Sequence, residues 1–359
     1  MDSNQTVHMN HGEGETSYAL NSKLQNYMQA DLKPLIEEAV VTLLESATYL
    51  PNNIMNIADL GCSSGPNAIV LVATALDTIR RHHGQPALEV CVLLNDLADN
   101  DFNTVAKILD EIKQSHEGPA PTVVTGMVPG SFYTRLFASC SLHLVCTSNS
   151  LHWLSKAPED LVKNRIPAYD GDENLRRARR PTVVAAYRRQ FRKDFTLFLS
   201  LRAQELIPRG RMVLSLVGSH HHDVDAQYIQ PWECPAFVLN DMASRGVIDR
   251  EKLDSFYIPI HGPSEQELRE IIEEEGSFEI NQIMQVDTSI SRTNEFMSVK
   301  AMAIAGRAII EPMIVQHFGP SGEIMDDYVR TLEKYYMRSL INTPEEPVVS
   351  MCVSLSRKI

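Results

Sequence analysis

The 359-residue chain is short of positive charge: 33 lysines and arginines stand against 46 aspartates and glutamates, a formal net charge of −13. That balance argues against nucleic acid or an anionic membrane as a main partner, because both are gripped through basic patches. No apolar run approaches the ~20 residues that span a bilayer. Met1 to Thr16 is polar and lacks the apolar stretch of a secretory leader. The six cysteines (Cys62, Cys91, Cys140, Cys146, Cys234 and Cys352) show neither C-x-x-C nor zinc spacing, so a reduced, cytoplasmic protein is expected. There is no G-x-G-x-x-G phosphate loop, no HGGG segment and no internal repeat. What remains is an ordinary globular composition, on a chain long enough for one large core or a core with a cap.

The chain is organised around Ile57-Ala58-Asp59-Leu60-Gly61-Cys62-Ser63-Ser64-Gly65-Pro66-Asn67. Ile54 to Leu60 is short and mostly apolar, as a central parallel strand is. Gly61 and Gly65 permit positive φ and close approach of the backbone to a ligand, and Pro66 fits a first helical position. Such a strand-turn-helix unit aims free amide N–H groups at a ligand beyond the strand's carboxyl end. Asp59 is expected there as the one charged group, which suits a nucleotide-like ligand that also carries a cation. The same residues match the G-x-S-x-G nucleophile elbow of an α/β-hydrolase, with Ser63 as nucleophile. That reading wants several strands before the elbow, and only about one strand's worth of chain is available. A plain turn of some other α/β domain is the third reading.

Further strands are predicted at Leu88 to Leu94, Thr122 to Val128, Ser141 to Cys146, Arg211 to Val217, Phe278 to Val286 and Val348 to Ser356. Helical periodicity covers Leu24 to Ala47, the stretch from the turn to Arg81, Thr104 to Ile112, Val184 to Leu206, Ala236 to Arg245, Ser264 to Glu275 and Phe296 to Phe318. The alternation predicts a doubly wound α/β sheet with helices on both faces. Arg176-Arg177-Ala178-Arg179-Arg180 reads as a solvated loop, and so does His220-His221-His222-Asp223. One unit over 1–359 is expected. Its α/β core covers about 50–155, 183–219, 276–290 and 346–359, and a helical cap covers about 156–182, 220–275 and 291–345.

Segments at the carboxyl ends of parallel strands share one crevice. Here they are Asp59 to Asn67, Asn95-Asp96-Leu97, Gly130-Ser131-Phe132 and Ser148 to Trp153. Asp96 can accept from ribose hydroxyls, and Ser131 with Phe132 can grip a flat base. A nucleoside with a cationic tail fits S-adenosylmethionine better than NAD. At these segments the chain resembles the plant SABATH family of small-molecule methyltransferases. The matches run nearly end to end: Met9 with Gly12 to Ser22, Asp59 to Asn67, Leu94 to Asn103, Val128 to Phe137, Ser150 to Ser155, Arg211 to Leu214, Asp254 to Pro259, Glu311-Pro312 and His317-Phe318-Gly319.

The resemblance implies a class I methyltransferase (Rossmann-like) sheet with a helical cap, usually a homodimer. The family methylates carboxylates such as salicylate, benzoate, jasmonate and indole-3-acetate, and xanthine nitrogens in the caffeine branch. It implies S-adenosylmethionine contacts at Tyr18, Ser22, Cys62, Asn67, Asp96, Leu97, Ser131, Phe132 and Ser148. Gln25 and Trp153 match the positions that hold the substrate carboxylate, with His152 beside them. A reported magnesium position corresponds to Asn164, Asp254, Phe256 and Tyr257. The last is usually asparagine, and one carboxylate with neutral oxygens makes a poor divalent site.

The chemistry points the same way. A carboxylic acid of pKa about 4 is already ionised near pH 7 and needs no general base. The task left is positioning, with the oxygen in line with the methyl–sulfur bond at roughly 3 Å. Gln25 and Trp153 both offer N–H donors suited to an anion. Three departures bear on the acceptor. Asn149 stands where many carboxyl methyltransferases have tyrosine, His152 replaces a methionine, and Gly306 falls where another methionine is usual. A wider, more polar pocket is expected, open to a benzoate-type acid, jasmonate, an indole acid or a nitrogen heterocycle.

Overall fold

Short apolar runs alternating with amphipathic stretches give a seven-stranded sheet in the order β3-β2-β1-β4-β5-β7-β6. The computed structural model describes residues 8–12, 14–45, 53–82, 88–114, 121–219, 230–289, 293–342 and 349–359. Strands β1 (Ile54–Leu60), β2 (Glu89–Asp96), β3 (Thr122–Pro129), β4 (Leu142–Ser148) and β5 (Leu206–Gly218) run parallel. β7 (Val349–Arg357) lies antiparallel between β5 and β6 (Phe278–Asp287). The strand order reverses at β1, with β2 and β3 on one side and β4 and β5 on the other. A crevice beyond the carboxyl ends opens at such a switch point.

The N-terminal stretch of helical periodicity from Leu24 to Ala47 is two helices, α2 (Lys23–Ala30) and α3 (Lys33–Leu44), and a short α1 (Tyr18–Asn21) precedes them. Pro34 stands in the first turn of α3, where its missing N–H is tolerated; further in it would leave a carbonyl unpaired. The chain breaks just before it, at Asp31 and Leu32. α4 (Val70–His82) and α5 (Phe102–Gln114) follow the first two strands, and α3, α4 and the strands enclose one core through Ile36, Val40, Leu71, Ile79, Val92 and Leu144.

The other face is where expectation failed. The arginine run is not a loop. It forms the first turns of α7 (Glu173–Glu205), which continues through Pro181. Asp172 caps the helix by accepting from the Leu175 amide at 2.9 Å. Three of its four arginines pair with carboxylates, Arg177 with Glu173, Arg179 with Asp170 and Arg180 with Glu233, while Arg176 donates to the Asp170 carbonyl and lies over the Tyr169 ring. α6 (Glu159–Asn164) precedes it, and α8 (Glu233–Ser244), α9 (Arg250–Asp254), α10 (Glu265–Glu275) and α11 (Val299–Phe318) follow. α12 (Gly322–Asn342) was not anticipated, although Met325, Tyr328 and Leu332 are buried at helical spacing within it.

One apolar cluster runs from Ala58 and Val145 on the strands, through Phe191 and Phe198 of α7, to Leu239 of α8 and Ile314 of α11. Sheet and helices therefore share a core on this side. His220 to Asp223 and Met1 to Val7 lie outside the described residues.

Candidate active site

The turn after β1 is built by close packing. Gly61 has φ +74°, and a Cβ there would lie 2.3 Å from Ser150 Oγ. Ser150 Oγ in turn donates to the Gly61 carbonyl at 3.2 Å. Gly65, at φ +122°, would put a Cβ 2.9 Å from that of Ala19. Both glycines thus admit other parts of the protein, Ser150 and α1, along the direction in which ligand approach was expected. Ser63 carries a left-handed φ of +58°, and its amide faces β2. That amide donates to Asp96 Oδ2 at 2.6 Å, and the Leu97 amide donates to Oδ1 at 2.7 Å.

Asp96 is thereby held in one orientation at the carboxyl end of β2. Burial raises its pKa, and the two amide bonds partly offset that by favouring the charged form. Asp59, expected as the charged group of the site, does not line the cavity. It is 2% exposed and still within the sheet, in register with Leu94 and Cys146. Burial, then the Asp96 charge, holds its carboxyl well above the usual range. The carboxylates on the cavity lining are those of Asp96 and Asp99.

A cavity of about 640 Å³ opens over these strand ends. On one side it is lined by Tyr18, Cys62, Asn67, Asp96, Leu97, Ser131, Phe132 and Ser148, all expected cofactor positions. Burial and the nearby Asp96 carboxylate push the Tyr18 hydroxyl up, so it stays a neutral donor. Burial pushes the Cys62 thiol well up, so it is no nucleophile. Ser22 stands back from the lining. Its hydroxyl and carbonyl each accept from Asn67 Nδ2 at 2.9 Å, so it braces a residue that does line the cavity. Ser148 Oγ is shared with Ser215 Oγ at 2.9 Å and with Asn149 Nδ2 at 3.0 Å.

The remaining wall carries Gln25, Asn149, His152 and Trp153. Their segment is clamped at several points. Tyr133 Oη donates to the Trp153 carbonyl at 2.7 Å, Leu154 N to Pro259 O at 2.7 Å, and His261 N to His152 O at 2.9 Å. The Val217 amide donates to His152 Nδ1 at 3.3 Å, which leaves the ring proton on Nε2. Burial pushes the imidazole down to about 3. His152 is therefore a neutral donor and a poor base. Gln25 Oε1 and Asn149 Oδ1 are buried without a hydrogen-bond partner. Such orphans in a native cavity point to a polar ligand.

Gly306 is not part of this wall. A Cβ there would lie 2.8 Å from Leu332 Cδ2, at the α11–α12 contact, and Ile309, three residues on, lines the cavity instead. A 3.6-residue turn decides which of two nearby positions faces the pocket. Also missed by the sequence reading were Tyr133, Val217, Ile260 and Ile309, whose roles exist only through contacts distant in sequence. Tyr133 alone had a signal, in its position next to Phe132.

The residues matched to a magnesium position do not fit a divalent ion. Asn164 Nδ2 donates to Asp160 O at 2.8 Å, and Tyr257 Oη donates to Ile166 O at 3.0 Å. Phe256 offers no side-chain ligand, which leaves Asp254 as the single carboxylate. Among the described residues no group of three or more His, Cys, Asp or Glu is placed to hold a metal. The hydrolase reading falls too: the Ser63 amide is committed to Asp96, and no hydrogen bond joins Ser63 Oγ to a histidine among the described residues.

A switch-point crevice with a pinned carboxylate on β2, an aromatic after β3 and a small-residue turn after β1 defines a nucleoside-binding class I methyltransferase. The chain belongs to the S-adenosylmethionine-dependent carboxyl methyltransferase family, whose profile matches residues 4–358. It is 34% identical to the salicylate/benzoate carboxyl methyltransferase of Arabidopsis thaliana, over 98% of this chain and 92% of that protein. It is 39% identical to the 3,7-dimethylxanthine N-methyltransferase of Camellia sinensis, over 90% of this chain and 89% of that protein. Among solved structures, a loganic acid methyltransferase with S-adenosylhomocysteine superposes with a TM-score of 0.81 at 28% identity, covering 98% of this chain and 99% of that one.

Proposed function

We propose that the protein forms methyl esters of small carboxylic acids of the kind plants make, with Gln25, Trp153 and His152 Nε2–H as neutral donors to the carboxylate. The observation that carries this is His152. It lines the pocket, yet burial holds its imidazole neutral down to about pH 3 and Val217 occupies its free nitrogen. An imidazole on the acceptor wall that cannot take a proton suits an acceptor that arrives already ionised. S-adenosylmethionine, when bound, supplies an electrophilic methyl group. Asp96 would receive the ribose hydroxyls on the lone pairs its two amides leave free, and Phe132 would face the base. Tyr18 would donate from above the Asp96 carboxylate. Pocket walls from the cap exclude water, so that the carboxylate keeps only the donors the protein gives it.

The test is the single-turnover rate against pH with the best acid from a panel of benzoates, jasmonate, indole acids and xanthines. The carboxylate is ionised above a pKa of about 4, so the rate should be flat from about pH 6 to 8. The sign of the His152 term in stability is also fixed. Its folded pKa lies below its unfolded value, so stability is full above about pH 6.5 and is lost as pH falls toward 3. A rate rising steeply through neutral pH would exclude the carboxylate reading. The second reading, a xanthine nitrogen as acceptor, draws on the unpartnered Asn149 Oδ1, which could receive a ring N–H. The same panel decides between them.

A homodimer in a reducing, cytoplasmic compartment belongs to this proposal. All six cysteines are free thiols, and among the described residues no helix is long and apolar enough to cross a membrane.

A further inference from the structure

The loop after β3 carries Ser131 and Phe132 into the cavity, yet it has left the sheet and pairs with no strand. Its start is tied to β2, where the Gly130 amide donates to Asp96 O and Asn95 Nδ2 donates to Gly130 O, both at 2.8 Å, and the residues beyond need a further hold. Beneath it lie Arg202 and Glu205, in the last turn of α7, both 0% exposed and with Arg202 Nε 2.8 Å from Glu205 Oε2. That contact is electrostatic, since neither atom makes a hydrogen bond there. Arg202 Nη2 also donates to Glu205 Oε1 at 3.1 Å, Arg135 Nε lies 3.5 Å from the same oxygen, and the pair's other bonds go to loop backbone. Arg202 Nη1 donates to the Phe132 carbonyl at 3.0 Å and Nη2 to the Thr134 carbonyl at 3.0 Å. Glu205 Oε1 accepts from the Leu136 amide at 2.8 Å and the Phe137 amide at 3.1 Å.

Two buried charges are costly to desolvate, and an apolar pair of similar volume often gives equal or better stability. Stability is therefore a weak account of this pair. Its geometry offers a stronger one. A planar guanidinium reads two carbonyls at a fixed spacing, and a lysine could not. The carboxylate reads two consecutive amides further along the same loop. Phe132 is additionally fixed by edge contact with Phe198 of α7, at 6.1 Å between ring centroids, and Arg202 sits 5.2 Å from the Phe198 ring centroid. One helix end thus sets both the backbone and the ring plane of the residue expected to face the base.

We infer that Arg202 and Glu205 are positioning residues for the cofactor's base: the buried pair fixes the 131–137 loop so that Phe132 and Ser131 present a preformed slot for adenine. This rests on the methyltransferase reading of the cavity. Neither residue touches ligand; they act through the loop.

The experiment compares the wild type with R202M/E205L, which replaces both charges together and so leaves no buried charge unpaired. S-adenosylhomocysteine and its inosine analogue, which lacks the adenine amino group, are titrated by calorimetry. Fold is checked by thermal melting and near-ultraviolet circular dichroism. The four loop backbone groups that lose their partners should lower the melting temperature, with the fold retained. S-adenosylhomocysteine affinity should fall at least tenfold, and preference for the adenosine compound over the inosine compound should collapse. KM for the acid at saturating S-adenosylmethionine should change less than twofold.

A folded double variant with unchanged affinity and unchanged base preference overturns the inference. So does a parallel loss of cofactor and acid binding, which would mean general loosening. If the double variant does not fold, R202K carries the test: it keeps the charge and loses the fork, and it should weaken S-adenosylhomocysteine severalfold. Unchanged binding by folded R202K overturns the idea as well. Failure of the wild type itself to bind S-adenosylhomocysteine would instead sink the methyltransferase reading beneath it.

Discussion

The two ends of the cavity are built differently. The end proposed for the cofactor is assembled from strand termini and their immediate turns: Ser63 follows β1, Asp96 ends the neighbouring β2, and their contact is backbone to carboxylate. Its polar groups are mostly satisfied within the protein, as with Asp96, Ser148 and Asn67. The acceptor end gathers Gln25 from α2, His152 and Trp153 after β4, Val217 from β5, Ile260 from the cap and Ile309 from α11. There Gln25 Oε1 and Asn149 Oδ1 are buried without a hydrogen-bond partner. Satisfied groups make a rigid, preformed site for one constant ligand. Open groups on a surface of mixed origin can change their ligand with a few substitutions, because nothing in the sheet depends on them.

Asp96→Ala should break this comparison most visibly. Removing a carboxylate that can serve both ribose hydroxyls should weaken S-adenosylhomocysteine binding by up to about 3 kcal/mol. KM for the acid at saturating cofactor should hardly move, and calorimetry with steady-state kinetics reads both. Equal damage at both ends would show that the division is false. Trp153→Phe keeps the ring and deletes one N–H donor from the acceptor end. It should cost about 1.5 kcal/mol in kcat/KM for the acid, the lower range for a hydrogen bond to charge, with cofactor affinity unchanged. The smallest effect is expected where the two ends do not reach. Gly306→Met crowds Leu332 at the α11–α12 contact, which overpacking penalises by about 1–3 kcal/mol, while leaving glycine in a helix returns about 1. A small fall in melting temperature should follow, with the preference among acids untouched. A shift toward salicylate would put position 306 back into the pocket wall.

The two ends also differed in how far they could be read. The place of Asp96, Ser131 and Phe132 on the cavity lining was legible because each ends or follows an apolar run that had to be a strand. In a parallel sheet, residues just past such runs converge without further information. Asp59 was misread by one step of the same logic. It is the penultimate residue of β1, so it remains inside the sheet while the turn begins after Leu60. The arginine run of α7 was misread because its neutralising carboxylates include Glu233, from a helix more than fifty residues away. Charge density counted along the chain suggests a loop until that partner is in view.

The amino-acid sequence by itself determined the alternation of elements, and hence the switch point and the acid that ends β2. Those follow from local periodicity and from the chirality of parallel crossovers. Only the tertiary structure decided which glycines admit protein rather than ligand, which face of α11 meets the pocket, and which nitrogen of His152 keeps its proton. Each of these depends on a contact between residues far apart in the chain: Gly61 with Ser150, Gly306 with Leu332, His152 with Val217. A local pattern fixes where a side chain starts. What it meets depends on how the helices pack over the sheet, and that packing is set by a core shared among many distant residues, where no single short stretch carries the answer.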